Sequence, residues 1–219
     1  MESLRLVHAK TRRAYNLAAQ KYHDLFHNEM DEKEYDRKLL DAFADKFPKD
    51  SLLCDAGCGP SAHIGRYLFD KGLRVVGVDI ADRCVALARA HNPEMLFKQG
   101  DIAHLAFPAD SFDGIVSYYS IIHTPKKSMD RIFNEFRRTL KPGGYLLVAV
   151  KAGTNDGYVN ELLGFETEIY FVLFSEVEIA GYFQRSGFEL EFIERRNPYD
   201  FEIHNDRIFA VGRKTQAAS

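Results

Sequence analysis

The stretch Leu52-Leu53-Cys54-Asp55-Ala56-Gly57-Cys58-Gly59 joins a short apolar run to an acid and a glycine turn. An apolar run of this length, followed by a helical pattern up to Lys71, predicts a buried strand that turns directly into a helix. The two glycines allow a tight backbone turn and the close approach of a ligand. By itself the turn is a weak signal, because position 62 is Ala where G-x-G-x-x-G has its third Gly, and no Gly-Lys-Ser/Thr ending follows.

Strand and helix patterns alternate on the C-terminal side of this turn. Further strands are predicted at 74–79, 95–97, 112–119 and 145–150, and helices at 82–91 and 128–140, with Pro142-Gly143-Gly144 turning the chain between the last two elements. Such alternation is typical of βαβ units and a parallel sheet. Residues 188–195 and 207–212 predict two more strands with no helix between them. We therefore predict an α/β fold, a Rossmann-like three-layer sandwich with a mostly parallel seven-stranded sheet and an antiparallel C-terminal strand pair.

The segments outside the alternating region are mainly helical. Apolar residues at helical spacing predict a helix over Thr11–Phe26 and a second helix that begins near Asp31, with Glu34 in capping-box position, and ends at Pro48. Ser175 and Glu178 have the same spacing and predict the start of a late helix. Residues 151–174 between the fifth strand and this helix are expected to form a long aromatic-rich connection.

Composition narrows the class of protein. The 219 residues are 46% hydrophobic and carry a net charge of −3, which is typical of an ordinary globular domain and argues against a nucleic-acid partner. Three Cys imply no disulfide framework, so we expect a reducing cytoplasm. The basic N-terminus lacks the apolar segment of a secretory signal, and the longest apolar run, 169–174, is too short to span a membrane. The oligomeric state cannot be read from the sequence.

Acidic side chains follow three successive predicted strands. Asp55, Asp79 and Asp101 end strands one, two and three, and the carboxyl ends of parallel strands border the ligand crevice of an open α/β sheet. The second acid can accept hydrogen bonds from both hydroxyls of a ribose, and the third can accept one from an exocyclic amine. An acid beside the glycine turn, Asp55, disfavours a pyrophosphate and favours a ligand with an ammonium or sulfonium group. Asp79 taken alone is equally well interpreted as a helix N-terminal carboxylate.

Five segments together carry a resemblance to a known family. They are Asp55-Ala56-Gly57-Cys58-Gly59, Val78-Asp79-Ile80, Gly100-Asp101-Ile102, Phe112-Asp113 through His123, and Leu140-Lys-Pro-Gly-Gly144. In order and spacing, from about Leu52 to Val150, they resemble the class I S-adenosylmethionine-dependent methyltransferases, and more narrowly the methyltransferase type 11 group. The resemblance implies S-adenosyl-L-methionine as cofactor and methyl transfer (EC 2.1.1.-) to a small-molecule acceptor. It leaves open whether the accepting atom is O, N, S or C.

The resemblance also implies roles for individual residues. Gly57 and Gly59 would pass beneath the methionine part of the cofactor, Asp79 would bind the ribose, and Asp101 would hold the adenine edge. It implies a helical lid over residues 1–50, a cofactor-binding domain over 51–213 with an insertion at 151–174, and a tail over 214–219. The full set of implied cofactor contacts is Tyr15, Tyr22, Asp55, Ala56, Gly57, Cys58, Gly59, Asp79, Ile80, Gly100, Asp101, Ile102 and Ser117.

Several alternatives stay open at this stage. His123 is either a general base at the mouth of the site or a structural residue before Pro125. The run 170–174 is either core or substrate pocket. No metal is expected, because the cysteines together with His63 match no zinc pattern.

Two other functions compete with methyl transfer. A nicotinamide-dependent oxidoreductase is disfavoured by the imperfect glycine pattern and by Asp55. A cofactor-binding regulatory protein without transferase activity is the other candidate. Since strand four ends in Ser117-Tyr-Tyr-Ser120 and not in Asn/Asp-Pro-Pro-aromatic, methylation of DNA or of protein glutamine is disfavoured.

Overall fold

Seven strands form a single sheet in the order β3-β2-β1-β4-β5-β9-β8 in the computed structural model, which describes residues 3–215. The strands are β1 Leu52–Ala56, β2 Arg74–Asp79, β3 Leu96–Gln99, β4 Phe112–Tyr118, β5 Leu140–Lys151, β6 Asp156–Leu162, β7 Phe165–Val172, β8 Phe188–Arg196 and β9 Arg207–Lys214. The helices are α1 Leu4–Phe26, α2 Glu34–Ala44, α3 His63–Asp70, α4 Asp82–His91, α5 Met129–Thr139 and α6 Glu176–Arg185. Strands β6 and β7 lie outside this sheet as a separate pair.

The pairing pattern confirms the predicted fold class. Strands β1 to β5 pair in parallel, whereas β9 runs antiparallel to both β5 and β8. The strand order reverses between β1 and β4, and such a reversal places a ligand crevice at the carboxyl ends of these strands.

Apolar side chains cover both faces of the sheet. On one face Phe133, Phe136 and Phe183 of α5 and α6 are fully buried, and on the other Leu40 and Leu68 of α2 and α3 are fully buried. Each such side chain contributes roughly 1.5–3 kcal/mol on burial. The two cores hold the strand ends of the crevice in fixed positions.

The aromatic-rich connection predicted at 151–174 contains a β-hairpin. Strands β6 and β7 pair antiparallel from Asp156↔Val172 to Leu162↔Phe165, and β7 packs along α1. Val172 and Phe174 are fully buried in the core, while Tyr170 and Phe171 are only half-buried. The segment 170–174 therefore divides between core and surface-facing positions.

The starts of two helices differ from the sequence prediction. Helix α1 begins at Leu4, where the Ser3 hydroxyl accepts from the Leu6 amide, rather than at Thr11. Helix α2 begins at Glu34, because Asp31 ends a short 3₁₀ turn and the expected capping box does not form. The capping box of Ser175 and Glu178 forms as predicted.

Strand β5 is longer than predicted at its start, and so is β9 at its end. The Pro142–Gly144 segment lies inside β5, because Leu140 already pairs with Phe112 across an irregularity in the register. Lys214 pairs with Phe188 and belongs to β9, so the tail expected from 214 begins later. Positions 216–219 of that tail lie outside the described residues. None of the helices between residues 3 and 215 combines the length and the apolarity needed to cross a membrane.

Candidate active site

A cavity lies at the carboxyl ends of β1, β2 and β4 and is covered by α1. It holds about 820 Å³ of empty space, part of which is open to solvent. The predicted site residues in its wall are Tyr15, Tyr22, Asp55, Gly57, Cys58, Gly59, Asp79, Ile80, Asp101, Ile102 and His123. Three predicted contacts, Ala56, Gly100 and Ser117, are not among the lining residues.

The two positions of the turn, 57 and 59, are glycine for different physical reasons. Both have positive φ, +89° at Gly57 and +64° at Gly59. A Cβ on Gly57 would lie 2.2 Å from the Ser120 Cβ, so the close approach of Ser120 requires this glycine whether or not a ligand is bound. A Cβ on Gly59 would meet only the Tyr22 ring, at 3.9 Å, so Gly59 presents bare backbone to the cavity.

Two buried carboxylates in the wall lack a cationic partner. Asp55 accepts from the Gly65 amide at 3.0 Å, and Asp79 accepts from the Gly59 and Ala81 amides at 2.9 and 2.8 Å. Within residues 3–215 neither carboxylate forms an ion pair. Burial raises the pKa of Asp55 to about 7 and that of Asp79 to about 6. A cationic ligand would stabilise the ionised form of both groups, so the cavity suits one that carries positive charge.

Asp101 is held by the covering helix. His8 Nδ1 lies 2.8 Å from Asp101 Oδ2, and the Ala103 amide donates to Oδ1 at 2.8 Å. Burial alone would raise the pKa of this carboxyl, but the hydrogen bond and the charge of His8 outweigh it and hold the pKa below its ordinary value. The acid predicted at the adenine edge thus already has one bond on each oxygen.

His123 forms part of a hydrogen-bond chain between α1 and β7. Its Nδ1 lies 2.8 Å from the Tyr170 carbonyl and must donate there, so a neutral ring accepts the Tyr15 hydroxyl proton at Nε2, 2.9 Å away. Burial lowers the pKa of His123 to about 4 and raises the pKa of Tyr15 well above its usual value. At neutral pH the imidazole is uncharged and both of its nitrogens are occupied.

Several wall residues escaped the sequence prediction. His8, Glu29 and Thr124 line the cavity without having been predicted, whereas Thr11, Tyr119 and Ser120 lie in the segments 11–26 and 117–123, which were expected to supply walls. Tyr119 has a φ of +54°, and its buried hydroxyl has no hydrogen-bond partner in the part of the chain that the structure describes. No sequence signal pointed to His8, Glu29 or Thr124, whereas the polar run 117–120 at the end of β4 pointed to Tyr119 and Ser120.

Residues 54–148 match the family model described as "Methyltransferase domain". The order of the strands, the glycine turn and the acid after β2 all lie within this segment. The chain contains a class I methyltransferase domain. Its predicted family and its predicted cofactor, S-adenosyl-L-methionine, are confirmed, and the roles of individual residues stay predictions.

Named proteins resemble the methyltransferase domain in sequence and in structure. Over 96 residues it is 31% identical to "Sterol 24-C-methyltransferase ERG6B" of Gibberella zeae, covering 41% of this chain and 25% of that one. Over 132 residues it is 35% identical to "S-adenosyl-L-methionine-dependent Diels-Alderase iccD" of Talaromyces variabilis, covering 56% and 44%. The chain thus spans between a quarter and half of the length of these relatives.

The fold extends beyond the matched segment. The crystal structure of Burkholderia thailandensis 1,6-didemethyltoxoflavin-N1-methyltransferase superposes with a TM-score of 0.75 at 17% identity, covering 99% of this chain and 92% of that one. At this identity the likeness shows the fold alone. It covers α1 and the late strand pair as well as the methyltransferase domain.

Proposed function

We propose that this chain is an S-adenosylmethionine-dependent methyltransferase that acts on a small molecule. The observation that supports it most is the meeting of two unpaired carboxylates and a bare glycine backbone in one covered cavity. When bound, the cofactor supplies an electrophilic methyl group on a positively charged sulfur. The residues then have to bind, orient and exclude water, which is sufficient for an in-line transfer.

The proposed cofactor contacts follow the wall of the cavity. Gly57 and Gly59 pass beneath the methionine part, and Asp55 faces its amino group. Asp79 accepts from the ribose hydroxyls, since each of its oxygens has one lone pair free beside the amide bond that it already receives. Asp101, with Ile102, takes the adenine edge through the lone pairs that His8 and Ala103 leave free.

A small acceptor is favoured by the cover over the cavity. Helix α1 lies across the crevice, and β7 packs along α1 from the other side. A folded protein or a duplex would have to displace both elements to reach the site. The Burkholderia neighbour was crystallised with bound 1,6-didemethyltoxoflavin and S-adenosylhomocysteine, and this supports the proposal of a small acceptor.

We propose that His123 acts through Tyr15 rather than on the acceptor directly. Any proton taken from an acceptor would have to pass through the Tyr15 hydroxyl, because that group occupies the Nε2 atom. With a pKa of about 4 the imidazole is a weak base, so its main effect is to fix the orientation of Tyr15. The expectation of a general base at His123 stays a prediction.

The broader expectations are also proposals. We propose residues 1–50 as a lid, 51–213 as the cofactor domain with the 151–174 hairpin inserted, and a tail after β9. A cytoplasmic location is supported by three buried free thiols, Cys54, Cys58 and Cys84. The absence of a nucleic-acid partner remains an expectation from charge.

The test is transfer of a labelled methyl group. Full-length protein is incubated with methyl-tritiated S-adenosylmethionine and a fractionated small-molecule extract, and release of S-adenosylhomocysteine is measured in parallel. We expect labelled product in at least one fraction with wild type and loss of it with Asp79→Ala. If the protein binds the cofactor and converts an acceptor but releases no S-adenosylhomocysteine, the cofactor has a use other than methyl transfer. The Talaromyces relative is named as a Diels-Alderase that depends on S-adenosyl-L-methionine.

A further inference from the structure

A chain of buried ion pairs runs beside the cavity. It joins β8 and β9 to the segment around α2 through Lys33–Glu29 (2.8 Å), Lys33–Glu202 (3.1 Å), Arg196–Glu202 (2.9 Å), Arg196–Asp36 (3.1 Å) and Arg207–Glu202 (3.7 Å). Three carboxylates and three basic side chains take part, so their formal charges cancel. Two further titratable groups bond to it: His63 to Glu29 at 2.7 Å, and the Tyr118 hydroxyl to Asp36 at 2.6 Å.

Lys151 adjoins this balanced set without a partner of its own. It ends β5 and is the register partner of Arg207, so the two side chains stand on the same face of the sheet. Among residues 3–215 its ammonium group has no hydrogen bond and no ion pair, and its nearest described contact is the Phe171 ring, 5.3 Å away. The region therefore carries one positive charge more than its own carboxylates offset.

The surroundings of Lys151 connect it to the cavity wall. The Phe171 ring also lies 6.0 Å from the ring of His123, which lines the cavity. The Tyr119 ring, also in the wall, has the guanidinium of Arg207 at 5.9 Å and the ammonium of Lys33 at 5.8 Å. Lys151 thus stands behind the wall formed by His123 and Tyr119. It lies at the same carboxyl edge of the sheet as Asp101, on the other side of the crevice.

Two buried donors near the half-buried Lys151 lack acceptors among residues 3–215. The Tyr119 hydroxyl and the Arg207 Nε are fully buried, and no described residue accepts from either. Buried donors without acceptors are costly. Lys151 is half-buried, and Glu202 and Glu29 offset only part of its charge from a distance. Burial, together with the charges of Arg207 and Lys33, accordingly lowers the pKa of Lys151 to about 8. An anion that accepts hydrogen bonds would satisfy these three groups together.

We propose that Lys151 binds a singly charged acidic group, a carboxylate, on the methyl acceptor, with Tyr119 and Arg207 as additional donors. The proposal rests on the proposed function, because it assigns a binding group to the same methyl acceptor. Tyr119 lines the cavity, and Lys151 and Arg207 lie behind its wall. A monoanion offsets the single excess charge of Lys151, whereas a phosphate monoester carries up to two negative charges and would leave the site negative. The aromatic rings of Phe171 and Tyr119 suit an acceptor with a flat apolar body.

The experiment uses benzoate, benzamide and phenyl phosphate as probes of one shape and different charge. Each is titrated by calorimetry into full-length protein saturated with S-adenosylhomocysteine. We expect wild type to bind benzoate at least about 10-fold more tightly than benzamide or phenyl phosphate, as a charge-assisted hydrogen bond provides. Lys151→Met should abolish this preference, and Lys151→Arg should keep most of it. Lys141→Met is the matched control, since Lys141 lies at the other end of β5 and pairs with Asp113 at 2.8 Å.

The possible outcomes separate this proposal from the proposed function. Three results would overturn the assignment of an acidic acceptor. They are equal affinity for benzoate and benzamide, an unchanged preference for benzoate in Lys151→Met, and a preference for phenyl phosphate. Loss of S-adenosylhomocysteine binding in Lys151→Met would overturn it too, because Lys151 would then serve the cofactor. Failure of wild type to bind S-adenosylhomocysteine would contradict the proposed function itself. A thermal melt adds an independent test, since Lys151→Met should melt at or above the wild-type temperature, and a clear decrease would reveal a stabilising partner for Lys151.

Discussion

His8 Nδ1 lies 2.8 Å from the Asp101 carboxylate, across 93 residues of sequence, and His8 Nε2 lies 3.0 Å from the Thr124 hydroxyl. One side chain of α1 therefore bonds to the acid after β3 and to the loop after β4. The covering helix is thus attached to the same carboxylate that is proposed to hold the adenine. Attachment of the helix and retention of the cofactor are expected to depend on each other.

Replacing His8 should loosen the cover. His8→Ala leaves Asp101 and Thr124 without their partner and removes about 1–3 kcal/mol of buried hydrogen bonding, so S-adenosylhomocysteine should dissociate roughly 10-fold faster. Stopped-flow dissociation and hydrogen exchange over α1 provide the measurements. Gln20→Ala, on the exposed side of α1, is the control and should change neither. An unchanged dissociation rate in His8→Ala would show that this bond does not retain the cofactor.

Cofactor binding should release protons near neutral pH. Asp55 has a pKa of about 7 in the free protein because of burial, and a cationic amine beside it would favour its ionised form. Affinity for S-adenosylhomocysteine should therefore rise from pH 6 to pH 8. Calorimetry in two buffers of different ionisation enthalpy counts the protons released, and Asp55→Asn should abolish most of that release. Proton uptake on binding would contradict the proposed position of the amine.

The same carboxyl should affect the stability of the free protein. Its folded-state pKa is raised above the unfolded value near 3.9, so its stabilising contribution is complete below pH 4 and is lost as pH rises through about 7. Relative to wild type, Asp55→Asn should gain stability between pH 4 and pH 8. Urea unfolding at these two pH values measures the difference. If the unfolding free energies of Asp55→Asn and wild type differ by the same amount at both pH values, Asp55 has its ordinary pKa in the folded protein.

Gly57 should be intolerant of a methyl group even in the absence of ligand. Gly57→Ala combines a positive φ with a Cβ only 2.2 Å from the Ser120 Cβ, and we expect a loss of about 2–4 kcal/mol of folding free energy. Adding Ser120→Gly should recover the part of the loss that is due to the clash. Gly157→Ala is the control, because nothing lies within 4 Å of a Cβ there. Equal unfolding free energies for Gly57→Ala and wild type would exclude this packing.

His123 should remain neutral far below the usual pKa of histidine. Nitrogen-15 NMR should show its Nδ1–H tautomer at pH 7 and no protonation until the pH approaches 4. Because its folded-state pKa lies below the unfolded value of about 6.5, stability should fall as the pH drops from 6.5 toward 4. Tyr15→Phe removes the donor at Nε2 and should shift that nitrogen resonance. Protonation near pH 6.5 would contradict the buried chain of Tyr15, His123 and Tyr170.

The sheet and its acids were predictable from the sequence because buried parallel strands leave a local pattern. Each apolar run ends at a polar residue, and Asp55, Asp79 and Asp101 mark three of those ends. The β6–β7 hairpin was not predictable in this way, since most of its residues are partly or fully exposed and Glu161 and Glu166 interrupt any apolar alternation.

Contacts between distant segments account for the rest of what the sequence did not predict. His8 lies before the predicted start of its helix, and its partner Asp101 follows a strand in another part of the chain. The position of Lys151 beside Arg207 depends on the register of β9. Gly57 was expected to make room for a ligand, whereas Ser120 is the group that requires it. No local periodicity encodes any of these three pairings.

Calorimetric titration of S-adenosylhomocysteine into the full-length protein tests the cofactor site most directly. We expect one site per chain with a dissociation constant of about 1 μM or below, which corresponds to a binding free energy of about −8 kcal/mol or a more negative value. Asp79→Ala should lose at least about 100-fold in affinity, because two hydrogen bonds to a charged group disappear together. No binding to wild type, or full affinity in Asp79→Ala, would contradict the placement of this cofactor in the cavity.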